Sequence, residues 1–258
     1  MKIGFIGIGN MGGALAKAVA QADDTELLLS NHNPAKGQGL AEELGARLAS
    51  NEKIAAQAEV IFLGVKPYLI ADLISQLAPL AKPGTIWVSM AAGVTLTSLS
   101  QHLPAENLIR IMPNTPVAIG QGMTTYSLTN TELAPVVETL LAPSGQLMQV
   151  PEKLMDAATA LAGCGPAFVY QMIEALTDAG VEQGIQAMDA KFLVAQTLLG
   201  SAQMVLNSDK HPAQLRQEVT SPGGSTIAGV ASLEKNGFRS ALMQAISAAV
   251  QRTQELGK

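Results

Sequence analysis

A chain of 258 residues with a formal net charge of −5 is long enough for two modest domains that each bury a core, and its scattered charges exclude the basic face that a nucleic-acid partner needs. It is 48% hydrophobic but only 3% aromatic, so its core is expected to be packed from Ala, Leu, Val, Ile and Met, a composition that suits closely packed helices. The single cysteine, Cys164, rules out an internal disulfide and a cysteine-built zinc site, so no metal is expected and a reducing cytoplasm is the natural setting.

The opening Met1-Lys2, an apolar stretch and Ala16-Lys17-Ala18-Val19-Ala20 have the outline of a secretory signal. Glycines interrupt that stretch, and no apolar run approaches the ~20 residues of a membrane helix. From Met1 to about Val150, short apolar runs alternate with helical patterns: Ile3 to Ile6, Leu27 to Leu29, Val60 to Leu63, Ile86 to Val88 and Leu108 to Ile111. This alternation predicts βαβ units and a mainly parallel sheet. Because the runs are continuously apolar, helices are expected on both faces, which makes the sheet doubly wound.

The first strand leads directly into Gly7-Ile8-Gly9-Asn10-Met11-Gly12 and an Ala-rich helix through Leu15, Ala16 and Val19. At a first strand-to-helix turn this is the Rossmann arrangement. Gly7 permits the tight turn, Gly9 lets backbone approach a pyrophosphate, Gly12 lets helix and strand pack closely, and the helix N-terminus faces the phosphates. Ile6, Gly7, Gly9, Asn10, Met11 and Gly12 are therefore expected at the cofactor. The second strand ends in Ser30-Asn31-His32-Asn33-Pro34, with no carboxylate for a ribose 2'-hydroxyl. Ser30, Asn31, His32 and Lys36 are instead placed to donate to a 2'-phosphate, so NADP(H) is expected, with NAD(H) tolerated.

Three later loops lie beyond strand ends, where ligands bind in such folds: Val65-Lys66-Pro67, Ala91-Ala92-Gly93, and Met112-Pro113-Asn114-Thr115-Pro116. Small residues at Ala91, Ala92 and Gly93 allow close backbone approach to a flat nicotinamide, while the prolines fix loop shape.

Beyond Pro151 strand signals stop, and the pattern reads as helix, with Pro166 in a first turn ahead of Phe168, Val169, Met172, Ile173 and Leu176. The expected architecture is an α/β domain over residues 1–152 followed by an all-α domain over 153–258. From Met188 to Leu206 apolar residues occupy most of the helix circumference, interrupted by Asp189, Lys191, Gln196 and Gln203. A small domain cannot cover such a helix, so a second subunit is expected to, making this a dimerisation domain; a compact monomeric helical cap is the alternative.

Near the C-terminus Ser221-Pro222-Gly223-Gly224-Ser225-Thr226 runs into a helix that ends around Lys235-Asn236-Gly237. A helix entered through two glycines offers a second anion site, suited to a substrate carboxylate, although capping by Ser225 or Thr226 would explain the hydroxyls. Here the chain resembles the pyrroline-5-carboxylate reductases over essentially its whole length. Ser221 to Thr226 with Leu233-Glu234 is similar to that family's signature, and Gly7 to Gly12, Val65 to Pro67, Ala91 to Val94, Met112 to Pro116 and Gly163 to Ala167 support it.

That resemblance implies that Ser221 and the backbone of Gly224, Ser225 and Thr226 hold the substrate carboxylate. It implies too that the Thr226 hydroxyl, the one catalytic group, hydrogen-bonds the ring nitrogen, and that Asn51 lies at the adenosine end. It further implies homodimers or larger homo-oligomers with interleaved helices, acting on pyrroline-5-carboxylate to form L-proline. Cys164 stands where serine is common and His32 where arginine is often seen. His32, His102 and His211 form no expected triad. The alternatives are a 6-phosphogluconate or β-hydroxyacid type of dehydrogenase, with Lys191 as its only catalytic candidate, and a non-catalytic NADP-sensing protein.

Overall fold

The computed structural model describes residues 1–256. Along the chain follow β1 (Lys2–Ile6), α1 (Asn10–Val19), β2 (Glu26–Ser30), α2 (Pro34–Leu44), β3 (Arg47–Leu48), α3 (Asn51–Gln57) and β4 (Val60–Leu63). Then come α4 (Ile70–Leu77), β5 (Ile86–Ser89), α5 (Leu96–Leu99), β6 (Leu108–Met112), β7 (Gly122–Leu128), α6 (Ala134–Leu141) and β8 (Gly145–Gln149). They form one sheet in the order β3-β2-β1-β4-β5-β6-β7-β8.

The five expected strands are β1, β2, β4, β5 and β6, all parallel. The sheet continues where no strand was expected. β7 pairs antiparallel with β6, Ile109 opposite Leu128 and Met112 opposite Thr125, and β8 pairs parallel with β7. β7 reads Gly-Met-Thr-Thr-Tyr-Ser-Leu, whose strand-forming Thr and Tyr lack a continuous apolar run, and β8 is a largely exposed edge.

Alternation along each strand sends side chains to opposite faces, and each face has its own core. On one, Ile3, Phe5, Phe62, Val88 and Ile109 meet Leu15 and Val19 of α1 and Val137 and Leu141 of α6. On the other, Leu28, Ile61, Leu63 and Trp87 meet Ile54 of α3, Ile74 of α4 and Leu99 of α5. Phe5 and Phe62 stack with centroids 4.5 Å apart, a rare ring pair in a largely aliphatic core. Each fully buried aliphatic side chain contributes about 1.5–3 kcal/mol.

The helical part comprises α7 (Met155–Ala158), a π-helical turn over Thr159–Gly163, α8 (Gly165–Glu182), α9 (Ala187–Leu206), α10 (Pro212–Glu218), α11 (Ser225–Lys235) and α12 (Phe238–Leu256). By contacts the chain forms two compact units, Met1–Pro166 with the chain from Ala248 onward, and Ala167–Ser247. The first unit runs past the last strand because Met155, Thr159 and Ala160 are buried and because buried Arg110 of β6 bonds Asp156 at 2.9 Å and lies 3.6 Å from Glu152. In the second unit Ala190 is the only buried residue, packed so near α8 that a Cβ on Gly180 would lie 3.0 Å from the Ala190 Cβ. Along α9, Met188, Phe192 and Leu206 are 80%, 69% and 81% exposed. Among the described residues no helix is long and apolar enough to cross a membrane.

Candidate functional site

β1 is flanked by β2 on one side and β4 on the other, so the strand order reverses at β1, the point beyond whose C-terminal end ligands bind in such folds. Gly7, at φ +91°, makes the turn, and its N–H donates to the Ser30 carbonyl at 2.9 Å. A Cβ on Gly12 would lie 2.3 Å from the Gly7 carbonyl oxygen, and one on Gly64 2.2 Å from the same atom. These glycines are required by the chain's own backbone. Gly9 differs, because a Cβ there would meet nothing within 4 Å. The protein leaves that space open, as close approach by a pyrophosphate requires.

Helix α1 starts at Asn10 with Gly9 as N-cap, no side-chain cap and no acidic residue in its first turn. Its first N–H groups have no intrahelical acceptor, the arrangement that favours an anion at a helix N-terminus. Gly64 was not singled out in the sequence; its one signal was a glycine directly after the run Val60 to Leu63.

Beside this turn the ends of β2, α1 and α3 are laced together. Ser30 Oγ donates to Asn51 Oδ1 at 2.6 Å, and Asn31 Nδ2 donates to the Asn33 carbonyl at 3.2 Å. Asn33 Oδ1 accepts from the Lys36 N–H at 3.2 Å and caps α2, while Lys36 Nζ donates to Asn10 Oδ1 at 3.3 Å. Ser30, Asn10, Asn51 and Lys36 thus share one neighbourhood, and His32, like Asn10 and Lys36, is exposed.

Of the three loops, Val65-Lys66-Pro67 leaves β4 with Lys66 exposed and Val65 packed on the second core. Ala91 is buried, its N–H bonded to Ser89 Oγ at 3.3 Å, Ala92 is half-buried, and Gly93 has φ +78°. Asn114 is nearly buried; its Nδ2 donates to the Ala162 carbonyl at 3.1 Å and its Oδ1 accepts from the Met123 N–H at 2.9 Å. Both ends of this amide are engaged within the protein, a structural duty the motif did not reveal.

In the second unit Ser221 to Gly224 form a turn, with Gly223 at φ +69° and the Gly224 N–H donating to the Ser221 carbonyl at 3.1 Å. A Cβ on Gly224 would lie 2.4 Å from Ser221 Oγ. Helix α11 starts at Ser225 with Gly224 as N-cap, no side-chain cap and no acidic residue in its first turn. Capping by Ser225 or Thr226 is therefore not what happens: both lie inside the helix, and with Ser221 they are exposed. Lys191 is exposed on α9, and His211 caps α10 by accepting from the Ala213 N–H at 3.2 Å. Among the described residues no three His, Cys, Asp or Glu side chains gather as a metal would need.

Two family profiles match the chain: pyrroline-5-carboxylate reductase dimerisation over residues 152–256, and NADP oxidoreductase, coenzyme F420-dependent, over residues 2–93. The pyrroline-5-carboxylate reductase of Pisum sativum is 40% identical, over 98% of this chain and 95% of its own length. The crystal structure of 1-pyrroline-5-carboxylate reductase from Streptococcus pyogenes superposes with a TM-score of 0.90 at 35% identity, covering 99% of this chain and 98% of that one. That of the Plasmodium falciparum pyrroline carboxylate reductase with NADP bound has a TM-score of 0.88 at 33% identity, covering 100% and 98%.

Proposed function

The chain belongs to the pyrroline-5-carboxylate reductase family, and from that premise we propose that it reduces the C=N bond of 1-pyrroline-5-carboxylate with NADPH, giving L-proline in the last step of proline biosynthesis. The observation that carries this reading is a pair of uncapped helix N-termini, each entered through glycine: α1 after Gly7 and Gly9, and α11 after Gly223 and Gly224. One suits a dinucleotide pyrophosphate and the other a substrate carboxylate.

NADPH, when bound, supplies the hydride. The first-turn N–H groups of Asn10, Met11 and Gly12 receive the pyrophosphate, with Ile6, Gly7 and Gly9 shaping the approach. Ser30, Asn31 and Asn51 serve the adenosine end. Val65 to Pro67, Ala91 to Gly93 and Asn114 border the nicotinamide end. Ser221 and the backbone of Gly224, Ser225 and Thr226 hold the substrate carboxylate.

The protonated ring nitrogen donates to Thr226 Oγ1, which aims the imine carbon. As the new C–H bond forms there, the π pair of C=N moves onto nitrogen, which already holds its proton, and a neutral secondary amine results. No lysine, histidine or carboxylate base is needed, so alignment is the main contribution, worth about 7–11 kcal/mol in the best intramolecular cases. The acting species is a homodimer or larger homo-oligomer in which a second copy covers α9, and the lone thiol of Cys164 suits a cytoplasmic setting.

The test is NADPH oxidation, with proline measured as product, on addition of pyrroline-5-carboxylate, a β-hydroxyacid or neither. Turnover is expected with the imine alone. Turnover with the hydroxyacid and none with the imine would overturn the reading.

A further inference from the structure

The loop from β5 into α5 carries Ala91, Ala92 and Gly93, and its two ends are fixed by different means. At the β5 end Ser89 Oγ accepts from the Ala91 N–H at 3.3 Å, a bond between near neighbours. At the α5 end Thr95 Oγ1 accepts from the Ser98 N–H at 3.0 Å and caps the helix. The first N–H of α5, on Leu96, has no acceptor within its helix. Its acceptor comes from 56 positions away and is Glu152 Oε1, on the chain between β8 and α7.

A helix of four residues has too few internal bonds to hold itself in place. Leu96 and Leu99 are buried beneath it, but apolar burial has no direction. The directional bond is the one from Glu152. That same oxygen lies 3.6 Å from Arg110 Nη1, and Arg110 is 1% exposed. Arg110 stands on β6 opposite Ser89, where the loop leaves the sheet. Its Nη2 bonds Asp156 Oδ1 at 2.9 Å. The strand therefore carries a guanidinium, the guanidinium holds a carboxylate, and the carboxylate holds the far end of the loop. Asp156 shares the guanidinium but, among the described residues, bonds nothing in the loop.

We propose that Glu152 is a positioning residue for hydride transfer, its Oε1 fixing the Ala91–Gly93 loop against the nicotinamide from a base that Arg110 supplies. The assignment rests on the reductase reading given above and adds to it a residue outside every motif which that reading used.

The experiment compares the wild type with Glu152→Ala, Glu152→Gln and Asp156→Asn. Hydride transfer is read as single-turnover NADPH oxidation at saturating pyrroline-5-carboxylate, cofactor binding by calorimetry, and stability by urea unfolding. Amide hydrogen exchange over residues 90–96, without cofactor, reads the loop directly. Glu152→Ala is expected to slow hydride transfer about tenfold to a hundredfold, the cost of a displacement of about 1 Å. Its NADPH dissociation constant should change less than about threefold, because the pyrophosphate is held elsewhere, at α1. Exchange at Leu96 should speed up about tenfold, as for one lost hydrogen bond. Glu152→Gln keeps an oxygen for the Leu96 N–H and should return transfer and exchange to within about threefold of wild type, while still losing the ion pair and with it stability. Asp156→Asn should likewise lower stability and leave transfer and exchange near wild type.

Hydride transfer that fell in step with urea stability across the three variants would make Glu152 a stabilising group only and overturn the proposal. Unchanged exchange at Leu96 in Glu152→Ala would overturn it too, as would a Glu152→Gln variant as slow as Glu152→Ala. If the wild type oxidised no NADPH with the imine, the reductase reading would fail on its own, and exchange over residues 90–96 would still decide whether Glu152 holds the loop.

Discussion

Residues 1–166 bury Trp87, Phe5, Phe62 and the apolar runs of five strands within one copy of the chain, whereas residues 167–247 bury only Ala190 and leave Met188, Phe192 and Leu206 in solvent. The two segments have similar apolar content, so the difference lies in geometry. A sheet with helices on both faces closes two cores by itself. A few helices whose apolar residues run around most of their circumference cannot, and they need a second molecule. The first unit is built to be stable alone, and the second to be stable in company.

The largest effect should follow from denying the second unit its company. Phe192→Asp on α9 is expected to shift the protein to monomer and to abolish turnover, by light scattering and NADPH oxidation, while NADPH binding to the first unit persists. A dimeric, active variant would break the contrast between the units. Next comes Thr226→Ala, expected to slow imine reduction about 10²-fold, the lower range for a positioned hydroxyl, with little change in the NADPH dissociation constant. Equal turnover would remove Thr226 from the mechanism.

Within the first unit, Arg110→Ala strips the guanidinium from Asp156 and Glu152 and is expected to destabilise by about 3–5 kcal/mol in urea unfolding. Two glycine substitutions sharpen the picture of the turn. Gly12→Ala forces a Cβ onto the Gly7 carbonyl and should lower stability by about 1–3 kcal/mol, whereas Gly9→Ala should unfold like the wild type and weaken NADPH binding alone.

The smallest effect concerns pH. Burial first, and the Glu138 carboxylate that accepts the Tyr126 hydroxyl proton second, push the Tyr126 pKa up to about 12. Because the folded value exceeds the unfolded one, the stabilisation is complete below about pH 10 and is lost as pH rises toward about 12. Tyr126→Phe should flatten that stretch of the alkaline unfolding profile.

The turn Gly7 to Gly12, the five parallel strands and the Pro-Gly-Gly entry to α11 were legible in the residues because each depends on local matters: a φ angle, a run of β-branched side chains, the spacing of glycines. The end of β2 was legible only as a list of donors. Which of them are already engaged depends on Asn51, 21 positions beyond Ser30, and on Asn10, 26 positions before Lys36. Gly64 carried no mark of its importance, because its constraint is an atom of Gly7, in the turn that follows a neighbouring strand.

What this chain specifies by sequence alone, then, is the five parallel strands of its first part, the glycine turn after the first of them, the Pro-Gly-Gly entry to α11 and the surplus of apolar residues in its later helices, all read from neighbours along the backbone. Tertiary structure decided the direction of β7, the addition of β8, the burial of Arg110 against Asp156, and the engagement of Asn114 between Ala162 and Met123. Those outcomes turn on atoms that meet only after the sheet has closed, and a hydrogen bond or a steric clash is set by distance in space rather than by separation along the chain.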